Sequence, residues 1–180
     1  LGESGYFEQW GFDYRLYRPI LRFAREHAIP LIALNLPGEL TRKVGRAGLA
    51  ALSEGERASL PALVGDIPSA YRERLRQIFA EHPGDGDFER FVLVQRLWDE
   101  GMAATAVDYL RRHPERRLVI LAGAGHVAKD AGIAAALNAA GLGEIATLHI
   151  AASEISPTLA DWLLWPGPAE LPPAGRLGVA

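Results

Sequence analysis

Residues 117–132, RLVILAGAGHVAKDAG, constrain this chain more than any other segment. An apolar, partly β-branched run ending in glycines predicts a buried strand. His126 then emerges just past the strand's carboxyl end, the edge at which open α/β sheets bind ligands. Two chemistries compete for that position. One is a histidine held by a glycine turn beside a metal or haem. The other is a relaxed dinucleotide-binding loop, because Gly123, Gly125 and Ala128 satisfy G-x-G-x-x-A. The histidine reading is the stronger. Its neighbours are too small to explain an imidazole by local packing, and imidazole ligates metals while titrating near neutrality. Its bland counterpart is a half-buried histidine bonded to a loop carbonyl. Against the nucleotide loop, residues 129–132 postpone the helix whose N-terminus must meet the pyrophosphate.

Around this segment the chain reads as α/β. Asp13 has the chemistry of an N-cap, and Tyr14, Tyr17, Ile20, Leu21 and Ala24 share one face of a helix running to about His27. Pro19 either kinks that helix or marks its start. Residues 30–34, PLIAL, predict a first strand that delivers Asn35 to the sheet's carboxyl edge. From 39 to 113 the pattern is helical: short helices over 40–52, a connection over 53–65, a helix over 68–82 and a long one over 88–113. A strand at 117–122, a helix at 130–140 and a strand at 144–150 follow, an order that implies parallel pairing through right-handed crossovers. The DWLLWP run at 161–166 adds an edge strand, and 166–180 is a Pro- and Gly-rich tail. The expectation is one α/β domain over 1–180: a small parallel sheet flanked by helices, with a large helical insertion between the first and second visible strands.

Charge and composition remove several functions. Nineteen basic against twenty-two acidic side chains leave no excess to neutralise phosphates, which argues against nucleic acid as a partner. With no cysteine, disulfides, thiolate metal sites and cysteine nucleophiles are excluded. No apolar run approaches the roughly 20 residues that span a bilayer, so membrane attachment would need an anchor outside this chain. G-x-S-x-G, HExxH and Walker patterns are absent from the sequence.

Two further clusters carry chemistry. Gln95, Asp99 and Met102 share a strip of the long helix and interrupt an apolar surface. An inward-facing Asp99 would need a hydroxyl, a histidine or a cation, since an unpaired buried carboxylate costs several kcal/mol; the alternative is a strip at the solvent boundary. Met102 reads as core filler rather than an iron ligand. Tyr14 and Tyr17, with Arg15 and Arg18, have the chemistry to ligate haem iron through a phenolate and hold propionates, although half-buried tyrosines on an amphipathic helix are the plainer reading.

Taken together, YRLYRPI at 14–20, ALNLP at 33–37, QRLWDEGMA at 95–103, LAGAGHV at 121–127, ADW at 160–162 and LGV at 177–179 resemble the ChaN-like haem-binding proteins of the Tiki and erythromycin-esterase-like superfamily. Their order and rough spacing agree over nearly the whole chain. The resemblance implies haem as ligand, a role in haem or iron uptake or transfer, and a bacterial cell-envelope location, often through a lipid anchor, with the cytoplasm as the alternative. It also implies a haem shared across a homodimer. Gly123, Gly125 and His126 match the superfamily's Gly-x-x-His signature, and Tyr17, Asn35, Gln95 and Asp99 match recurrent polar positions. Family members open with a strand and a Gly-Glu-x-His segment, whereas Gly2-Glu3-Ser4-Gly5 carries no histidine. The chain therefore resembles the C-terminal two-thirds of a longer domain. A divalent-metal hydrolase of the Tiki type using His126 and Asp99, and nucleotide binding at 123–128, stay open beside haem binding.

Overall fold

The computed structural model describes residues 12–63, 65–81, 86–151 and 156–167. These divide into two compact units: Leu34–Trp165 makes one, and residues 12–33 with 166–167 belong to the other. The second contains helix α1 (Tyr14–Glu26), whose N-cap Asp13 accepts a hydrogen bond from the Arg15 backbone N–H at 2.9 Å. Pro19 lies inside this helix, so the cap and not the proline sets its start.

In the larger unit the helices are α2 (Gly38–Ala47), α3 (Glu54–Ala58), α4 (Ser69–Ala80), α5 (Phe88–Arg112) and α6 (Gly132–Ala139), with single 3-10 turns at Leu49–Ala51 and Ala124–His126. Helix α5 organises them. Leu97 packs with Leu40 and Val44 of α2 and with Leu52. Val92 meets Tyr71 and Leu75 of α4 together with Ala128 and Ala131. Met102, Ala103, Ala106 and Val107 meet Ile133 and Leu137 of α6. Met102 is thus core filler. The expected connection over 53–65 contains α3, which a reciprocal capping box between Ser53 and Glu56 nucleates.

Strands β1 (Leu148–Ile150) and β2 (Trp162–Leu164) pair in parallel, His149 opposite Leu163, so the fold is helix-dominated α/β with a small parallel sheet. β2 falls within the run read as an edge strand. β1 is shorter than its predicted 144–150. The runs 30–34 and 117–122 are corrections: among the described residues neither pairs with a strand. Their pleat is nonetheless legible. Leu118, Ile120 and Ala122 pack on the α5–α6 cluster, while Val119, 83% exposed, and Leu121 face outward. Alternation reports which face is buried, but a strand also needs a neighbour's N–H and C=O groups, and period two says nothing of those.

Asp161 fastens the start of β2 to the start of β1. Its carboxylate accepts from the Thr147 N–H at 2.8 Å and hydroxyl at 2.9 Å, and it forms an ion pair with Lys129. The Lys129 ammonium first, then the Thr147 bonds, hold its carboxyl at about 2. The Lys129 N–H donates in turn to the Leu159 carbonyl at 2.8 Å, so the loop that follows His126 is tied to the sheet. No helix among the described residues is long and apolar enough to cross a membrane.

Candidate functional site

Asp99 occupies an inward position of α5, one turn beyond Gln95, and is 3% exposed. A carboxylate so buried must be bonded at both oxygens. Oδ2 accepts from the Tyr71 hydroxyl of α4 at 2.6 Å, and Oδ1 lies 2.6 Å from His126 Nδ1. These are charge-assisted distances. Burial first, then the Asp99 charge, pushes the Tyr71 phenol well above its ordinary value, so it stays protonated and donates. With Oδ2 taken by the phenol, Oδ1 is the oxygen left to pair with an Nδ1–H tautomer of His126. Nε2 makes no hydrogen bond among the described residues and is not among the buried unpaired atoms.

The 3-10 turn places the ring. The His126 N–H donates to the Gly123 carbonyl at 2.9 Å, and Trp98 of α5 stands edge-on to the imidazole at 5.9 Å between centroids. Gly132 closes the loop with φ +62°; a β-carbon there would lie 2.5 Å from the His126 carbonyl oxygen. Gly123, Ala124 and Gly125 are exposed and add at most a methyl group, which leaves one side of the imidazole uncrowded.

The other predicted residues are placed as follows. Gln95 is half-buried on the Asp99 strip. Asn35 is exposed, in a segment whose Leu36 reaches α5 at Gly101, where a β-carbon would meet the leucine Cγ at 2.6 Å. Tyr17 is half-buried on α1, its ring 6.1 Å from that of Phe12, in the other unit. The structure thus joins Asp99 to His126 and adds Tyr71, a residue sequence reading missed. Tyr71 follows Ala70 in the first turn of α4 and carries no motif; only the demand that a buried Asp99 find a hydroxyl pointed toward such a partner.

The rival chemistries find less here. Helix α6 begins only at Gly132 and Ala128 is buried in a core cluster, so the G-x-G-x-x-A triad does not lead into a helix N-terminus as a pyrophosphate loop does. Among the described residues no three His, Asp or Glu side chains converge as a metal would require. Clefts of about 330 Å³ beside Asp66 and Arg96 and about 490 Å³ beside Arg74 and Ser156 are not lined by His126. His126 itself is half-buried, with the exposed Gly123–Gly125 segment beside it.

The chain is thus a helix-dominated α/β protein with a small parallel sheet and a carboxylate-oriented imidazole on the loop beyond an apolar run. Residues 1–137 match the family described as haem-binding uptake, Tiki superfamily, ChaN, and the chain belongs to that family. It matches no curated protein and no solved structure. The donor set is compatible with haem: an imidazole whose Nδ1 is bonded to a carboxylate turns Nε2 outward as the ligand atom, the arrangement in which histidines hold metals.

Proposed function

We propose that this chain binds haem, with His126 Nε2 as the protein ligand to the iron, in the service of haem uptake or transfer at the bacterial cell envelope. The observation that carries the reading is the buried Asp99 bonded to His126 Nδ1 at 2.6 Å, in a chain of a haem-uptake family. Haem bound there would supply a redox-active iron centre. The protein's own residues do the rest. Asp99 fixes the tautomer and the ring plane, Gly123 and Gly125 leave room for a flat macrocycle at the imidazole edge, and Trp98 covers the flank. Gln95 and Asn35 are proposed as polar contacts at the rim. Tyr17 is the rival ligand, through its phenolate, and its Arg15 and Arg18 neighbours match propionate chemistry.

Titration of the full chain with hemin tests this. A Soret band of imidazole-ligated haem is expected, lost in His126→Ala and retained in Tyr17→Phe. A titration in which the unsubstituted chain leaves the hemin spectrum unchanged ends the proposal; loss in Tyr17→Phe with retention in His126→Ala transfers the ligand role to tyrosine. A haem shared between two copies is proposed alongside it, and sedimentation with and without hemin decides whether loading doubles the mass.

A further inference from the structure

We propose that α1 is an interfacial helix: its outward apolar stripe enters the headgroup region of a bilayer rich in anionic lipid, and its arginines bind the lipid phosphates. The proposal concerns α1 alone and does not depend on the haem reading.

Two sides of α1 carry apolar side chains, and packing uses only one of them. Ala24 is buried and Tyr14, Tyr17 and Leu21 beside it are half-buried, which accounts for the first side. Leu16, Ile20 and Phe23, between 43% and 55% exposed, form the second. At 3.6 residues per turn they fall within about 60° of arc. Phe12, just ahead of the N-cap, is exposed as well and extends the stripe. Apolar side chains grouped in this way at the surface mark a site of interaction rather than scattered exposure.

The charges on the same helix indicate what covers the stripe. Arg15, Arg18, Arg22 and Arg25 occupy the side away from it, within about 80° of arc and with no acidic side chain among them. Arg15 is paired with Asp13, whereas Arg18, Arg22 and Arg25 enter no ion pair among the described residues. The chain as a whole carries −3, so this positive arc is local and turns the helix, rather than the rest of the molecule, toward an anionic surface. An apolar protein partner would account for the stripe and leave the arginines idle; a layer of phosphates over hydrocarbon accounts for both. At 13 residues α1 is about 20 Å long, too short for a hydrocarbon core of about 30 Å, so it would lie in the plane of the surface. Helices that do so bury their apolar side about 5–10 Å deep, and long arginine stems keep their guanidinium groups at the level of the phosphates, with which they form charge-assisted hydrogen bonds.

The test is flotation of the full chain with vesicles of phosphatidylcholine alone and of phosphatidylcholine with phosphatidylglycerol. The chain should float with the anionic vesicles and be released as salt is raised. Leu16→Gln with Ile20→Gln, which removes the stripe and spares the buried side, should weaken partitioning at least about tenfold. Arg22→Gln with Arg25→Gln should weaken it about fivefold per arginine at low salt and leave the residual partitioning to neutral vesicles unchanged. All four positions lie at the surface, so circular dichroism of both double variants should match that of the unsubstituted chain. Absence of flotation, equal flotation on neutral and anionic vesicles, or undiminished flotation of either double variant overturns the proposal. So does a lipid-free sedimentation experiment in which the unsubstituted chain is a dimer and Leu16→Gln with Ile20→Gln a monomer, because a second copy then covers the stripe.

Discussion

His126 and Tyr17 both have the chemistry to hold a haem iron, yet they are held by different kinds of structure. His126 is fixed by residues from three places in the sequence: Asp99 on α5 behind its ring, Tyr71 on α4 behind Asp99, and the glycine turn beneath its backbone. Tyr17 sits on α1, whose N-terminus is secured by neighbours, Asp13 capping the Arg15 N–H and pairing with its guanidinium at 2.6 Å. That helix leaves Leu16, Ile20 and Phe23 largely exposed. A side chain fixed by tertiary bonds meets its ligand with the orienting entropy already lost on folding, whereas the bonds of Asp13 to Arg15 secure the start of a helix and not the His126 loop. The difference should appear as a hierarchy of mutational effects.

The largest should come from Gly132→Val. The left-handed φ and the 2.5 Å approach of a β-carbon to the His126 carbonyl cannot both be relieved without moving the loop. A loss of about 2–4 kcal/mol in urea denaturation is expected, with hemin affinity falling in the same variant. Unchanged stability would mean that the loop yields freely and that His126 is no better fixed than Tyr17.

Next is Asp99→Ala. It strands the buried Tyr71 hydroxyl and the half-buried His126 Nδ1, at a cost of about 2–3 kcal/mol. Asp13→Ala, which removes an exposed cap from α1, should cost visibly less and leave the His126-dependent Soret band in place. Equal losses in the two variants would erase the contrast between the regions.

Much of this contrast was legible in the sequence, and what was missed has a common cause. Helix α1 announces itself through its Asp13 cap and apolar spacing, and α4 and α5 through apolar spacing, signals that are local, and their ends fall close to the expected positions. Helix α3 had its signal too, in the Ser53–Glu56 capping box, but it is too short to show an apolar period. Pairing is not local. Residues 117–122 alternate as a pleated segment should, yet nothing in their spacing says whether a partner strand lies alongside. The site divides in the same way. His126 stands out because glycines surround it and Asp99 because it interrupts an apolar face, whereas Tyr71 looks like one more amphipathic aromatic until α4 and α5 are packed together.

The smallest effect concerns the tie between the His126 loop and the sheet, and it depends on pH. Asp161, held at about 2 by Lys129 and Thr147, lies below its ordinary 3.8. A carboxyl depressed on folding contributes stability that is complete above its unfolded value and is lost as pH falls toward the folded one. Asp161→Asn should therefore be less stable than the unsubstituted chain by a constant margin above about pH 5, and the margin should close between about pH 4 and pH 2. The exposed Lys129 makes that margin modest and salt-sensitive. Amide exchange should locate it: faster exchange at Lys129, whose N–H is bonded to Leu159. Asp13 is also depressed, by its Arg15 bonds, so Asp13→Asn offers the mirror experiment, with faster exchange confined to the first turn of α1. If Asp161→Asn leaves exchange at Lys129 unchanged, the carboxylate does not hold the 127–131 loop to the start of the sheet.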